Sequence, residues 1–220
     1  MIGDRFFTRI EVFYQSQAMG QRQIQQALLF FGAMLAVSLP SAAIAHVGGH
    51  ETAGFLHGFQ HPLGGLDHVV AMVAVGVWAV QLENVKAPIA LPLSFLGLMC
   101  LGGLLGMVEM PLPGIEVGII ISDILLGAFI FFGTRLPLVW SSLIVAALAI
   151  FHGYAHGAEM PANAQGLQYA LGFLGSTAIL HLIGMGVATL ALRRQQSQFF
   201  RMAGVLMVLA GVMVAAQGIV

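Results

Sequence analysis

Long apolar runs separated by short polar breaks dominate the chain after about residue 60. Each run contains about 20 residues, the length at which an α-helix crosses the hydrocarbon core of a bilayer. The breaks contain proline or glycine, as in "ENVKAP" and "EMPLPG", which is typical of turns rather than of separate domains. The pattern therefore predicts an all-α, polytopic membrane helix bundle. Its six transmembrane helices are expected at about 62–82, 88–108, 114–134, 137–157, 168–192 and 199–219.

The first 45 residues have the pattern of a secretory signal peptide. A basic and polar start leads into an apolar core at about 27–39, followed by Pro40 and then "AIA" before His46. The core is short for a bilayer span, and small residues at an A-x-A site are typical of cleavage. We therefore expect cleavage between Ala45 and His46. The alternative is an uncleaved first span.

This cleavage would leave a short N-terminal segment outside the membrane (46–61) and a transmembrane bundle (62–220). The polar stretch before the apolar core is long for a signal peptide, so translation could begin at Met19 rather than at Met1. Neither start changes the mature chain.

The basic residues after the expected cleavage site all fall on one side of the predicted bundle. They are Lys86, Arg135, Arg193, Arg194 and Arg201. The loops on the other side, at about 109–113 and 158–167, contain no basic residue. Because cytoplasmic loops concentrate Lys and Arg, we expect a bacterial inner-membrane protein with both mature termini on the outer, periplasmic side.

Composition excludes several classes of protein. With 59% hydrophobic and 8% charged residues, the chain is too apolar for an ordinary soluble domain. A net charge of −1 argues against nucleic-acid binding. The single cysteine, Cys100, excludes an intrachain disulfide and a thiolate cluster. Eight histidines against one lysine point instead to metal or proton chemistry.

Imidazole and carboxylate side chains gather in the outer half of the predicted bundle. Such groups are costly inside a membrane, so they normally face the bundle interior and mark a pathway or a site. The candidate metal ligands within the bundle are His61, Asp67, His68, Asp123, His152, His156 and His181. They come from four predicted helices, and His181 is expected deepest, near the midplane. Whether Glu116 and Glu159 face the pathway or the lipid headgroups is left open.

The fourth span contains the sharpest spacing, in "FHGYAHGAE". His152 and His156 are four residues apart, one above the other on a helix, and Glu159 follows on the same stripe. Two imidazoles one turn apart can chelate one divalent ion. Gly153 and Gly157 leave their flanks small, so that a neighbouring helix can approach closely. The alternative is that each histidine only hydrogen-bonds to another span.

The stretch "HPLGGLDH" at the start of the first span has a different geometry. In a straight helix His61 and His68 would stand about 10 Å apart along the axis, and Asp67 would point away from His68. Pro62 and two glycines favour a broken helix opening that folds His61 back toward a cation site, as is tolerated where backbone lines a polar cavity. The alternative is that Pro62 only initiates the helix.

The N-terminal segment offers further candidate ligands, His46, His50 and His57. They would lie outside the membrane and could capture ions for the first span. A solvated tail without function explains the same residues equally well.

The stretch "HPLGGLDH" fits the H-P-x-x-G-x-D-H signature of the HupE/UreJ family, which the mature chain resembles over essentially its whole length. Members typically have a cleaved leader, six spans and histidines in a later span, similar to "FHGYAHG". The family is regarded as nickel or cobalt permeases linked to hydrogenase and urease maturation. The resemblance implies metal uptake, with His61, Asp67 and His68 as signature ligands and His152 and His156 as the second-helix set. It also implies a metallochaperone or hydrogenase or urease maturation proteins as partners, beside the lipid bilayer.

Nitrogen and oxygen ligands without thiolate suit borderline divalent ions such as Ni²⁺, Co²⁺ or Zn²⁺. We therefore predict a nickel or cobalt permease, not an enzyme, with no catalytic cofactor. Met72, Met160 and Met185 lie near the histidines in sequence or depth and keep copper as an alternative, although thioethers are also ordinary apolar filling.

Two other classes remain open at this point. One is an accessory membrane protein that binds metal without moving it across the bilayer. The other is an intramembrane metalloenzyme that activates water, although the sequence contains no evident general base or substrate cavity. The phosphate-binding G-x-x-x-x-G-K-[ST] pattern is absent from the sequence, so ATP hydrolysis by that route is excluded.

Overall fold

A computed structural model of the chain describes residues 54–160 and 164–218, together with three isolated helical positions at 25, 29 and 32. These residues contain seven α-helices and one short 3₁₀ helix, and no strand. The prediction of an all-α fold is confirmed. The expected cleavage site and nearly all of the expected signal peptide lie outside the described residues.

The helices follow the predicted spans closely. They are α1 (Phe55–Gln60), α2 (Leu66–Gln81), α3 (Ala87–Met107), α4 (Ile115–Phe132), α5 (Leu138–Ala158), α6 (Ala164–Arg193) and α7 (Ser197–Gly218), with a 3₁₀ helix, His61–Gly64, between α1 and α2. Five of them, α3 to α7, are long and apolar enough to cross a membrane. A sixth span is reached if the segment 55–64 and α2, bent by 88° from one another, are counted together.

Helix α2 lies at the centre of the bundle and packs against α3, α4, α6 and α7. Its sequence is apolar on every side, which is the pattern of a helix buried all round. Nearly every side chain from Val69 to Ala79 is inaccessible to solvent. With 16 residues it is about 24 Å long, which is short for a bilayer core of about 30 Å. Most of the surface of α2 is covered by the surrounding helices.

The helical backbone is interrupted just before α2, as the proline and glycines of this stretch favour. Pro62 stands in the first turn of the 3₁₀ helix, and Gly65 is extended, with φ −108° and ψ 125°. Helix α1 packs on α6, where a side-chain carbon added at Gly58 would collide with the backbone of Tyr169. The irregular backbone is thus partly covered by protein: Pro62 is buried, whereas Gly64 is exposed.

Helices α3 and α5 approach each other along a line of glycines. Gly153 of α5 faces the carbonyl of Met99, and Gly157 faces the backbone of Gly103. A methyl group at either position would collide with α3, so the close approach predicted for these two glycines is confirmed. This contact sets the position of the α5 histidines relative to α3.

The two ends of the bundle differ in chemistry. At one end, which we call the basic end, Arg135 forms an ion pair with Glu83 and joins the α4–α5 loop to the α2–α3 loop. Nearby, the Trp78 indole donates a hydrogen bond to the Thr134 carbonyl, and the Gln81 amide donates one to the Ile130 carbonyl, both at 2.9 Å. We call the opposite end, where α1, the 3₁₀ helix and the end of α5 meet, the histidine end.

The α3–α5 contact can be tested with two glycines of α3. A Cβ at Gly102 would meet the Ile150 backbone, whereas Gly97 has open space around it. We expect Gly102→Ala to destabilise the purified protein by about 1–3 kcal/mol through overpacking. Gly97→Ala should be neutral or slightly stabilising, because alanine is the better helix former. Thermal unfolding in detergent measures both, and equal midpoints for the two variants would contradict the packing described.

Candidate metal site

Three potential ligands meet at the histidine end in what we call the outer cluster: His61, His156 and Glu159. One ligand atom from each lies within 4.8 Å of the others, and this is the one such group of three or more among the residues that the structure describes. His61 Nε2 lies 3.2 Å from a carboxylate oxygen of Glu159. The cluster exists because the 3₁₀ helix turns His61 toward the last turn of α5. Glu159, left open by the sequence, is thereby part of the site, and its side chain is 64% exposed.

A second group lies deeper and is called the inner cluster: Asp67, His68, Ser122 and His152. His68 Nδ1 is 2.9 Å from a carboxylate oxygen of Asp67. The ring of His68 is 5.1 Å from that of His152, centroid to centroid. His152 Nε2 is 2.7 Å from the hydroxyl oxygen of Ser122 on α4. Three helices, α2, α4 and α5, therefore supply this cluster.

His156 lies between the two clusters. Its ring centroid is 4.8 Å from that of His61 and 4.3 Å from that of His68. The spacing of His152 and His156 on one helix face thus places one imidazole in the inner cluster and the other at the junction. The imidazoles of the first and fourth predicted spans meet in the protein interior, as the sequence predicts.

Several ring nitrogens in these clusters are buried and have no hydrogen-bond partner among the described residues. They are His68 Nε2, His152 Nδ1 and both nitrogens of His156. Buried polar atoms are nearly always satisfied in proteins, and each exception requires an explanation. A coordinated cation would satisfy these lone pairs. The arrangement is therefore chemically suited to a metal ion with nitrogen and oxygen ligands.

His57 extends the line of imidazoles toward the outside. Its ring is 6.1 Å from that of His61 and 5.6 Å from that of Tyr169. The N-terminal segment is helical where the structure describes it, from Phe55 onward. The other two ligands predicted in this segment, His46 and His50, lie outside the described residues.

The structure does not bring Asp123 and His181 into direct contact with the other imidazoles. Asp123 is completely buried in α4, one residue after Ser122, and neither carboxylate oxygen has a partner in the described part of the chain. His181 is separated from His152 by the ring of Phe95, which lies 5.1 Å from His181 and 5.9 Å from His152. Both residues are thus buried and polar, as expected; Asp123 lies next to the inner cluster, within electrostatic range of Asp67, whereas His181 lies on the other side of Phe95.

Sequence reasoning missed the residues that support the ligands. Ser122 precedes a predicted ligand, yet a serine in an apolar run has no distinguishing pattern. Tyr169 and Phe173 are four residues apart on α6, and their rings cover the outer cluster: the Phe173 ring is 4.2 Å from that of His156. Glu116 is exposed and lies outside both clusters.

A cavity of about 400 Å³ opens between α3, α5 and α6 and reaches His156 from the side. Its lining is almost entirely apolar and includes Met99, Leu104 and Leu171. Such a lining is unsuited to a hydrated cation. The imidazoles of the two clusters lie beside this cavity, which only His156 reaches.

Comparisons with known proteins identify relatives of the chain by sequence. The model of the family described as "HupE / UreJ protein" matches residues 18–214. The chain is 40% identical over 178 residues to "Protein HupE" of Rhizobium leguminosarum bv. viciae, an alignment that covers 81% of this chain and 92% of the relative. No solved structure matches the chain.

The outer cluster can be tested by removing one charge. Glu159→Gln keeps the size of the side chain but weakens its oxygen as a ligand, so the affinity of the purified protein for Co²⁺ should fall by about tenfold or more. Glu116→Gln is the matched control, because it removes an exposed glutamate outside both clusters. Titration calorimetry in detergent measures both affinities. An unchanged affinity in Glu159→Gln would exclude this carboxylate as a ligand.

Proposed function

Because the chain belongs to the HupE / UreJ protein family, we propose that it is a permease of the bacterial inner membrane that takes up a divalent transition-metal ion. The proposal rests chiefly on one observation, the meeting of four imidazoles and two carboxylates from separate helices at one end of an apolar bundle. They are His61, Asp67, His68, His152, His156 and Glu159.

The donor atoms favour Ni²⁺ or Co²⁺ as the cargo. Both clusters contain imidazole nitrogen and carboxylate oxygen, and the inner cluster adds a hydroxyl oxygen, a set that suits borderline divalent ions. Cys100 is exposed on α3 and lies in neither cluster. Met72 is completely buried in the apolar core of α2, which supports a packing role rather than copper ligation. Zinc and copper are the alternatives that a panel of ions would test.

The distribution of charge supports the direction of transport. The loops with Lys86 and Arg135 lie at the basic end, and cytoplasmic loops concentrate such residues. On this orientation the outer cluster faces the periplasm, as do both termini of the mature chain. An ion would pass from the outer cluster to the inner cluster and then onward into the cell. Maturation proteins of hydrogenase or urease would receive it there.

A membrane potential is a sufficient source of energy. An ion that moves inward across 100 mV gains about 2.3 kcal/mol per charge, and a divalent ion gains twice this amount. Uptake would therefore need no ATP hydrolysis by the chain itself.

Flux through the purified protein in vesicles tests the proposal. We expect Ni²⁺ or Co²⁺ uptake into proteoliposomes that contain the wild-type chain, and a loss of at least tenfold in His68→Ala, because the inner cluster loses an unpartnered nitrogen. Ser141→Ala, which alters a buried serine whose hydroxyl bonds the carbonyls of Leu136 and Pro137, is the control. Folded wild-type protein that binds the ion without flux would instead indicate an accessory metal-binding protein. Turnover of a substrate in place of flux would indicate an enzyme.

Acidification of the outer solution should weaken uptake. Imidazoles bind metal only when deprotonated, and the ordinary pKa of histidine is about 6.5. Uptake of Ni²⁺ should therefore fall as the outer pH is lowered below about 6.5, and the fall should extend to more acidic pH because burial of an imidazole favours its neutral form. The measurement is the initial rate into vesicles of constant internal pH. A rate that stays constant down to an outer pH of about 3 would argue against histidine ligation at the rate-determining step.

A further inference from the structure

The Ser122 hydroxyl has one proton and two polar atoms within hydrogen-bond distance. Its oxygen lies 2.6 Å from the carbonyl oxygen of Ile119 and 2.7 Å from Nε2 of His152. Two oxygen atoms at the first distance repel each other unless a proton lies between them. The Ser122 hydroxyl therefore donates to Ile119 and can only accept at His152. This assignment places the His152 proton on Nε2.

This hydrogen bond determines which nitrogen of His152 is available as a ligand. With Nε2 protonated, a neutral ring presents the lone pair of Nδ1. His152 is completely buried, and Nδ1 has no partner among the described residues. In metal sites the hydrogen bond at one ring nitrogen typically fixes the tautomer and orientation of the ligand at the other.

Asp67 has the same relation to His68. The carboxylate accepts a hydrogen bond from His68 Nδ1 at 2.9 Å, which leaves the Nε2 lone pair, also buried and without a partner in the described ranges. The two histidines thus have opposite tautomers, each imposed by an oxygen atom on the far side of the ring. Their rings stand 5.1 Å apart in an edge-on arrangement.

We propose that Ser122 is a positioning residue that holds His152 in the Nε2-protonated tautomer, so that His152 Nδ1 and His68 Nε2 form a second, deeper site for a borderline divalent cation. This inference rests on the proposed function for its role in transport, and on the unpartnered nitrogens and the spacing of the two rings for the site itself. Asp67 acts on this site through His68, as an orienting partner rather than as a direct ligand.

His156 connects the deeper site to the outer cluster. Its ring is close to both His61 and His68, and both of its nitrogens are unpartnered. A neutral His156 presents one lone pair, so it can ligate an ion held by His61 and Glu159 and, once its proton has moved to the other ring nitrogen, the same ion held by His68 and His152. An ion that moves in this way exchanges ligands one at a time and never loses all its protein contacts.

The tautomer is directly measurable. Nitrogen-15 NMR of histidine-labelled protein distinguishes a protonated from an unprotonated ring nitrogen, and His152→Gln identifies the signals by their loss. We expect His152 to be protonated at Nε2 in the wild type. In Ser122→Ala the acceptor is lost, so a mixture of tautomers should appear, and Ser122→Thr should restore the wild-type state because it retains the hydroxyl.

Ser176→Ala is the matched control for this measurement. Ser176 is buried, and its hydroxyl donates to the carbonyl three residues earlier, as that of Ser122 does. Its hydroxyl contacts no imidazole within the described part of the chain. This variant should leave the His152 signals unchanged.

Metal binding tests the deeper site separately from the outer one. In a Glu159→Gln background, residual Co²⁺ binding should persist, and adding Ser122→Ala should lower its affinity by about 10–100-fold. Adding Ser176→Ala should not lower it. In flux assays Ser122→Ala should raise the KM for the ion, and Ser122→Thr should reverse this change.

The outcomes separate this inference from the proposed function. An unchanged His152 tautomer in Ser122→Ala, or a Co²⁺ affinity that this substitution does not alter, would overturn the inference. Absence of flux in the wild type, with the tautomer and affinity results as expected, would overturn the permease proposal but leave the deeper site in place.

Discussion

Hydrogen bonds between imidazole nitrogens and oxygen atoms inside the protein are the interaction on which the site depends. A polar group removed from water without a partner costs several kcal/mol, and the cost inside a membrane explains why such groups face the bundle interior. Among the residues that the structure describes, three imidazoles have one oxygen partner each: Glu159 for His61, Asp67 for His68 and Ser122 for His152. In His68 and His152 the second ring nitrogen is buried without a partner in the described part of the chain. A bound cation would offset the free-energy cost of removing this nitrogen from water.

The interruption of the helix before α2 is what allows His61 to pair with Glu159. A straight helix would carry His61 more than a turn beyond His68, away from the end of α5. The 88° bend instead brings His61 beside His156, and α1 secures the bent segment by packing closely on α6.

The two ends of the bundle have different polar groups. Imidazoles gather at the histidine end, whereas an ion pair and hydrogen bonds to backbone carbonyls join the helices at the basic end. From the histidine end, imidazoles continue inward as far as His152, where the ring of Phe95 separates them from His181. Beyond this level α2 is apolar, and its last turns are tied to α4 and the following loop through Trp78 and Gln81. The rest of the described core is largely apolar, with Asp123, Thr177 and His181 as further buried polar side chains.

The amino-acid sequence by itself determined the all-α fold, the positions of the apolar helices, the break at Pro62 and the enrichment of ligands at one end. These features depend on local properties, namely the length of apolar runs, the backbone limits of proline and glycine, and the spacing of residues on one helix. Only the tertiary structure decided which ligands meet. It placed Glu159 beside His61, gave His152 a partner in Ser122, and separated His181 from His152 by the ring of Phe95. The reason is physical: the rotation of each helix about its axis and its distance from its neighbours are set by contacts between helices, such as that of Gly153 with α3, and these contacts join residues distant in the sequence.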